Sequence, residues 1–402
     1  MLFTEWKLPN VTARNRLVRS ATYEGLADEA RRPLPELGDL YAALAAHEVG
    51  TIITGFCYVS RRGRAMQPRQ CGIDSDRKIA AWEKVVAKVR AACESTVLLM
   101  QLAHCGLQTR PEMTGFAAMA PSARRSPYFR TTPAPMTESD ILRVTGEFRS
   151  AAVRARRAGF DGVQLHAAHG YLIHQFLSAF VNDRADRWGG SPDRRFAFLG
   201  EIVSAIKAAC GDSFPVFVKL SVPDGHPGGV DVPGAIDYVR RLRAIGTEAV
   251  EISCGTMDLP PNVIRGGVPI DRALQHNMLL AHKPRWLKWL WKKLAFPSLR
   301  AKFLPFRENY NLEAARAVRH ATGCPVILVG GVRRLDAIER ILESGDADAV
   351  ALCRPLIRQP DLAARFKRGE AAESACVNCN ACAVMADSAE SLRCYRKGRG
   401  ND

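Results

Sequence analysis

Three observations predict an α/β fold of the TIM (β/α)8 barrel class. The first is a set of eight short, mostly branched-apolar runs, near Leu17–Thr22, Thr51–Cys57, Thr96–Leu102, Gly162–His166, Val216–Leu220, Ala249–Ser253, Pro325–Val329 and Ala347–Leu352. Such runs suit parallel strands buried on both faces. The second is their strict alternation with helix-period stretches near Gly38–Val49, Arg77–Cys93, Thr137–Ala158, Pro192–Ala209, Val232–Ala244, Asn309–Thr322, Leu335–Ser344 and Asp361–Lys367. That alternation is the order of a closed parallel barrel. The third is punctuation: Thr137 and Ser191 precede helices as capping residues, and Gly50, Gly159, Gly246 and Gly345 follow helices as stops. An open doubly wound sheet is the competing topology, but no Gly-x-Gly-x-x-Gly follows the first strand.

The 402 residues, 47% hydrophobic and 24% charged, fit one large enzyme unit with additions. Residues 1–370 are assigned to the barrel, with an N-terminal lid and a basic insertion at about 262–308 after the sixth strand; residues 371–402 form a Cys-rich C-terminal extension. No apolar stretch is long enough to span a bilayer and no export signal opens the chain, so a cytoplasmic location is expected. Twelve cysteines in such a setting argue against a disulfide framework.

Lys and Arg exceed Asp and Glu by 57 to 41, a net +16, and the excess is uneven. From Arg272 to Arg307 there are nine basic residues and no acidic one, and Arg285-Trp-Leu-Lys-Trp-Leu-Trp-Lys-Lys293 interleaves cations with apolar side chains. Two readings stand: a lid over the active site whose lysines snorkel, or a peripheral contact of 283–306 with a membrane or partner. Nucleic acid is not expected, because no nucleic-acid-binding module surrounds the segment. The oligomeric state is not assigned.

Chemistry in a barrel belongs at the C-terminal strand ends. The fourth strand there breaks into His166-Ala-Ala-His169-Gly-Tyr171, two imidazoles and a phenol able to hold a carbonyl oxygen and supply a proton. Taken alone, such a pair of histidines more often serves structure. After the seventh and eighth strands stand Gly330-Gly331 and Arg354, a glycine turn and a cation suited to a phosphorylated cofactor.

The chain resembles the Old Yellow Enzyme family of FMN-dependent NAD(P)H:flavin oxidoreductases, in the branch related to 2,4-dienoyl-CoA reductase and trimethylamine dehydrogenase. The resemblance rests on Asn15-to-Thr22, Gln101-Leu-Ala-His104-Cys-Gly106, the His166-to-Gly190 block, Val218-Lys219, Gly330-Gly331, Arg354-Pro355 and the terminal cysteines. It implies that Ser20, Ala21 and Thr22 edge a flavin, Gln101 meets its pyrimidine side, and Lys219 stabilises negative charge on its reduced form. Gly330, Gly331 and Arg354 would hold the FMN phosphate. His166 and His169 would bind the carbonyl oxygen of a small unsaturated substrate, hydride would pass from flavin N5 to its β-carbon, and Tyr171 would supply the proton. NAD(P)H would reduce the flavin in the same site. Asn182, Arg184, Asp186, Gly189 and Gly190 read instead as loop and helix anchors; Leu107 and Cys105 depart from the family's pattern beside the cofactor.

The same relatives carry a 4Fe-4S cluster after the barrel. Cys376, Cys379, Cys382 and Cys394 occupy the corresponding place as C-x2-C-x2-C-x11-C, one residue shorter before the third cysteine. A 4Fe-4S cluster, zinc or uncommitted thiols all suit that spacing. The activity expected is reduction of an activated C=C bond. Its rivals are a flavin dehydrogenase or demethylase passing electrons to a cluster, and a non-catalytic barrel that binds metal or membrane.

Overall fold

The computed structural model describes residues 1–263 and 265–396. Eight parallel strands form its centre: β1 (Leu17–Arg19), β2 (Thr51–Ile53), β3 (Val97–Ala103), β4 (Gly162–Ala167), β5 (Val216–Ser221), β6 (Ala249–Ser253), β7 (Val326–Val329) and β8 (Ala349–Leu352). Each pairs with the next, and β8 pairs with β1 through Val350 opposite Leu17 and Leu352 opposite Arg19, which closes the barrel. A two-residue strand, Cys57–Tyr58, resumes the pairing with β3 beyond the end of β2.

Helices α1 (Pro35–Ala46), α2 (Ile79–Ala92), α3 (Glu138–Arg157), α4 (Pro192–Cys210), α5 (Val232–Ala244), α6 (Leu312–Thr322), α7 (Leu335–Glu343) and α8 (Leu362–Lys367) form the outer ring, each within a few residues of the stretch its period predicts. The caps act as expected at α3, where Thr137 Oγ1 accepts from the Asp140 N–H and Asp140 accepts from the Thr137 N–H. Gly159, Gly246 and Gly345 take left-handed φ values of 87°, 82° and 69°. Gly50 is a correction. Helix α1 stops four residues earlier, the left-handed residue is Glu48 at φ 73°, and Gly50 is needed for space: a Cβ there would meet Asn15 Oδ1 at 2.2 Å.

Period-two alternation sorts each strand's side chains between two layers. Leu98, Leu165, Val218 and Ile252 face outward into the helix layer, while Val18, Ile53, Leu99, Phe217, Ala249, Ile327 and Ala349 fill the barrel interior. The N-terminal lid is a short antiparallel hairpin, Trp6–Lys7 with Thr12–Ala13, that closes the barrel on the side opposite the predicted chemistry. Trp6, 3% exposed, meets the edge of Phe217 at 6.4 Å and joins that interior cluster.

The segment after β4 is built as a scaffold. Asn182 Nδ2 donates to the carbonyls of Phe176 and Trp188, and Arg184 pairs with Asp186, so these residues anchor the loop into α4. No helix among the described residues is long and apolar enough to cross a membrane.

Candidate active site

Directly above the apolar filling of the barrel lies a buried polar layer, made by the next inward-facing residues. Lys219, 4% exposed, donates to Ser20 Oγ at 2.8 Å and pairs with Glu251 at 3.0 Å. Ser20 Oγ donates to the same Glu251 oxygen at 2.5 Å. The other carboxylate oxygen accepts from Gln164 Nε2 at 2.8 Å, and Gln164 Oε1 accepts from Gln101 Nε2 at 2.7 Å. Five side chains from β3, β4, β5, β6 and the end of β1 are therefore joined in one chain of hydrogen bonds. A buried ammonium with a compensating carboxylate is the arrangement a low-dielectric site requires.

Gln164 and Glu251 were not singled out from sequence, although a signal exists. Glu251 is the one charged residue in the run Ala249–Ser253, and a lone carboxylate in a strand buried on both faces needs a cation. Ser20, expected at a flavin edge, engages its hydroxyl within this network.

His166, the last inward-facing residue of β4, stands directly above that layer. The next turn holds His169 in a left-handed conformation, φ 58°. That strained residue is fixed at several points. Its N–H donates to Ser221 Oγ at 2.8 Å, its carbonyl accepts from Gln108 Nε2 at 2.8 Å, and its Nε2 shares a 2.8 Å hydrogen bond with Ser253 Oγ. Tyr171 caps the short helix Leu172–Leu177, which sequence periodicity did not reveal, and its ring stacks on Phe56 at 5.4 Å. The His166 ring lies edge-on to His169 at 5.1 Å and to Tyr171 at 4.6 Å. The structure thus brings the three predicted catalytic residues together.

Burial sets their protonation. Desolvation, with the charges of His169 and Lys219 adding to it, holds His166 well below the usual imidazole value; desolvation and Lys219 do the same to His169. Desolvation pushes the Tyr171 phenol well above its ordinary range. Two neutral imidazoles and a protonated phenol are hydrogen-bond donors with no net charge. His166 Nδ1 is buried without a protein partner, so the cluster has unused capacity. His104 shares that feature, since its Nε2 is likewise buried without a protein partner; its ring packs against Gly63, where a Cβ would come within 2.2 Å, and burial lowers its pKa to about 3. It braces the end of β3.

A cavity of about 230 Å³ runs from the ends of β1, β7 and β8 to the C-terminal extension; none of the three cluster residues lines it, and the link to them is Tyr23, which lines it and meets Phe56 at 6.0 Å between ring centres. Thr22, Gly330, Gly331, Cys353 and Arg354 line it. Gly330 and Gly331 take φ values of 126° and 76°, and a Cβ on Gly331 would strike the Arg307 carbonyl at 2.6 Å. Only glycine suits such positions. Thr22 Oγ1 lies 3.0 Å from Cys353 Sγ, and Arg354 starts a short helix while bonding the Arg265 carbonyl and Asn380 Oδ1. A glycine turn, a helix start and an arginine around this cavity fit the phosphate of FMN.

The insertion and extension complete the far wall. Asn380 Nδ2 donates to the carbonyls of Arg265 and Gly267. The buried Asp387 accepts from Gln67 at 2.7 Å and Asn277 at 3.3 Å, and burial raises its pKa. From the insertion Arg265 and Phe306, near its two ends, line the cavity together with residues of the extension.

The terminal cysteines are not assembled as a ligand set. Among the described residues no three His, Cys, Asp or Glu side chains are grouped closely enough to hold a metal ion. Cys382 lines the cavity, whereas Cys394 Sγ lies 3.7 Å from Arg358 Nη1. Asn378 and Asn380, at φ 53° and 59°, turn the chain sharply between Cys376 and Cys382 and stitch it to residues 265–267. All twelve cysteines are free thiols.

The family model described as NADH:flavin oxidoreductase / NADH oxidase matches residues 1–260. A 4,4'-dithiodibutanoate disulfide reductase of Rhodococcus erythropolis is 30% identical over 387 residues, which cover 95% of this chain and 92% of the relative. An NADH oxidase of Thermoanaerobacter brockii is 30% identical over 381 residues, 94% of this chain but 52% of that protein, so the chain spans about half its length. Among solved structures, the Old Yellow Enzyme homologue of Zymomonas mobilis superposes with a TM-score of 0.69 at 26% identity, over 94% of this chain and 95% of the other.

Proposed function

The chain belongs to the NADH:flavin oxidoreductase / NADH oxidase family and is an FMN-dependent NAD(P)H oxidoreductase of the Old Yellow Enzyme type; we propose that it reduces the C=C bond of a small activated alkene, of enone or enoyl type. Bound FMN supplies the hydride, taken from NAD(P)H. The remaining work falls to the chain. His166 and His169 donate to the substrate carbonyl oxygen, which drains electron density from the conjugated β-carbon. Tyr171 hands its proton to the α-carbon, and a phenol held protonated by burial is suited to that task. Lys219, paired with Glu251, would face the pyrimidine edge of the cofactor together with Gln101; Ser20, Ala21 and Thr22 would border the ring; Gly330, Gly331 and Arg354 would take the phosphate.

The observation that carries this reading is the trio of neutral imidazoles and protonated phenol, with the His166 ring 5.1 Å from His169 and 4.6 Å from Tyr171, at the same end of the barrel as a cavity with a glycine turn and an arginine. A non-catalytic barrel is set aside by family membership. The dehydrogenase reading needs a cluster to receive electrons, and for that only the C-x2-C-x2-C-x11-C spacing speaks; the reaction proposed runs without one. The free thiols support a reducing, cytoplasmic location.

The test is anaerobic. The FMN-loaded protein is reduced with NADH or NADPH and then mixed with 2-cyclohexenone, while iron and acid-labile sulfide are assayed on the same sample. Bleaching by the nicotinamide and recovery of the flavin band on adding the enone support the proposal. Failure of His166→Ala with His169→Ala to alter that recovery would falsify the role given to the imidazoles. Stoichiometric iron and sulfide would assign the terminal cysteines to a cluster.

A further inference from the structure

The helix Arg285–Leu294 in the insertion faces the wrong way for a helix of a water-soluble barrel. Its sequence is strongly amphipathic, and a surface helix normally turns such an apolar stripe toward the core. Here the stripe faces solvent. Trp286, Leu290 and Leu294 recur every fourth residue, which puts them on one face, and they are 67%, 38% and 72% exposed. Trp289, one turn from Trp286, is 62% exposed, and no residue of the helix is buried.

The opposite face shows why. Lys288 and Lys292, also four apart, lie on the other face and bond the protein's own surface: Lys288 Nζ donates to the Ala281 carbonyl at 2.6 Å, and Lys292, 41% exposed, pairs with the exposed Asp271 at 2.5 Å. The half-buried Trp291 packs toward the protein and meets the buried Phe296 at 5.9 Å between ring centres. The polar anchors of the helix are spent on the protein, and its tryptophans and leucines are left outside. Contiguous exposed apolar surface of this kind marks a contact site.

Charge identifies the partner. Lys283, Arg285, Lys293, Arg300 and Lys302 are all exposed around the apolar face, and no acidic residue occurs between Arg272 and Arg307. Two copies of this surface would bring two cationic rims together, which like-charge repulsion opposes. An anionic bilayer offers what the surface lacks: an interfacial zone that accepts tryptophan and leucine, and headgroups that attract lysine and arginine.

We propose that the helix Arg285–Leu294 docks this enzyme on an anionic phospholipid surface, with Trp286, Trp289, Leu290 and Leu294 in the interface and the flanking cations on the headgroups. Because Arg265 and Phe306, at the two ends of the insertion, line the active-site cavity, docking sets the open end of the barrel beside the membrane. Docking does not depend on the reaction proposed above and can be read without turnover.

The experiment uses the FMN-loaded full chain, sedimented with phosphatidylcholine vesicles with or without phosphatidylserine, and with sedimentation velocity of the lipid-free protein alongside. The expected result is binding to the phosphatidylserine vesicles that weakens with salt. Trp286→Ser with Trp289→Ser should lower it at least ten-fold, and Gln at Lys283, Arg285 or Lys293 by about five-fold for each cation removed. These variants should keep the wild-type circular dichroism spectrum and flavin content, since the substituted side chains are exposed. Absence of binding to phosphatidylserine vesicles overturns the proposal. So does binding that the tryptophan variant retains, or a lipid-free dimer that the same variant dissociates without any vesicle binding.

Discussion

The buried ion pair of Lys219 and Glu251 should govern the stability of the barrel's polar layer, in a way that separates a true pair from two independent residues. Replacing Lys219 by Met removes the cation and leaves a carboxylate at 0% exposure. At 3.0 Å and an effective dielectric of about 20, the lost attraction is about 5 kcal/mol. Breaking one side of a buried pair costs about 3 to 5 kcal/mol in measured cases. Ser20 and Gln164 still donate to Glu251, so the lower figure applies: about 3 kcal/mol, or roughly 150-fold in the folding equilibrium. Glu251→Gln should cost a similar amount by stranding the ammonium. The double variant, Lys219→Met with Glu251→Gln, carries no unpaired charge, keeps an amide oxygen to accept from Gln164 and offers its NH2 to Ser20 Oγ, so its cost should fall to about 1 kcal/mol. The assay is urea unfolding of the flavin-free protein followed by tryptophan fluorescence, with the four forms treated as a double-mutant cycle. Additive losses, with the double variant at about 6 kcal/mol, would refute the pairing and with it the electrostatic reason for placing Lys219 in this site.

Other changes probe the remaining parts. Tyr171→Phe should leave flavin reduction by NAD(P)H intact and slow enone-dependent reoxidation by roughly 100-fold or more, the usual scale of general acid catalysis; equal slowing of both half-reactions would assign Tyr171 to packing on Phe56 instead. His166 and His169 are neutral in the folded protein below the pH at which free imidazoles charge, so the unfolded chain binds the extra protons. Stability contributed by each is complete above about pH 6.5 and falls by up to about 1.4 kcal/mol per pH unit below it. Thermal unfolding of wild type and the double alanine variant at several pH values checks this, and the variant should show the shallower slope. Gly331→Ala forces a Cβ into the Arg307 carbonyl at a left-handed φ of 76° and should lower FMN affinity at least ten-fold, read by fluorescence titration, while Gly345→Ala, with open space around it, should not.

What could be read from the sequence divides along the range of the interactions involved. Strand parity, helix period and caps depend on neighbours a few residues away, and Leu17–Arg19, Gly162–Ala167, the Thr137 capping box and the left-handed Gly159, Gly246 and Gly345 all stand where local rules put them. The trio His166, His169 and Tyr171 was legible for the same reason, since one turn after one strand carries all three. The hydrogen bond from Ser20 to Glu251 spans 231 residues and exists only because β8 closes on β1; no local pattern announces it. Gly50 looked like a helix stop because glycine after a helix commonly is one, yet its reason is Asn15, which reaches it from the chain preceding β1. The spacing of the terminal cysteines is likewise local, whereas their meeting is not: Asn378 and Asn380 bind the first three to residues 265–267, and Cys394 lies near Arg358 instead. The basic helix makes the point most sharply. Its period predicts two faces, but which of them looks outward is decided by Asp271 and the Ala281 carbonyl, the partners that hold Lys292 and Lys288. A sequence fixes the amphipathicity of a segment, and tertiary contacts choose the side it presents.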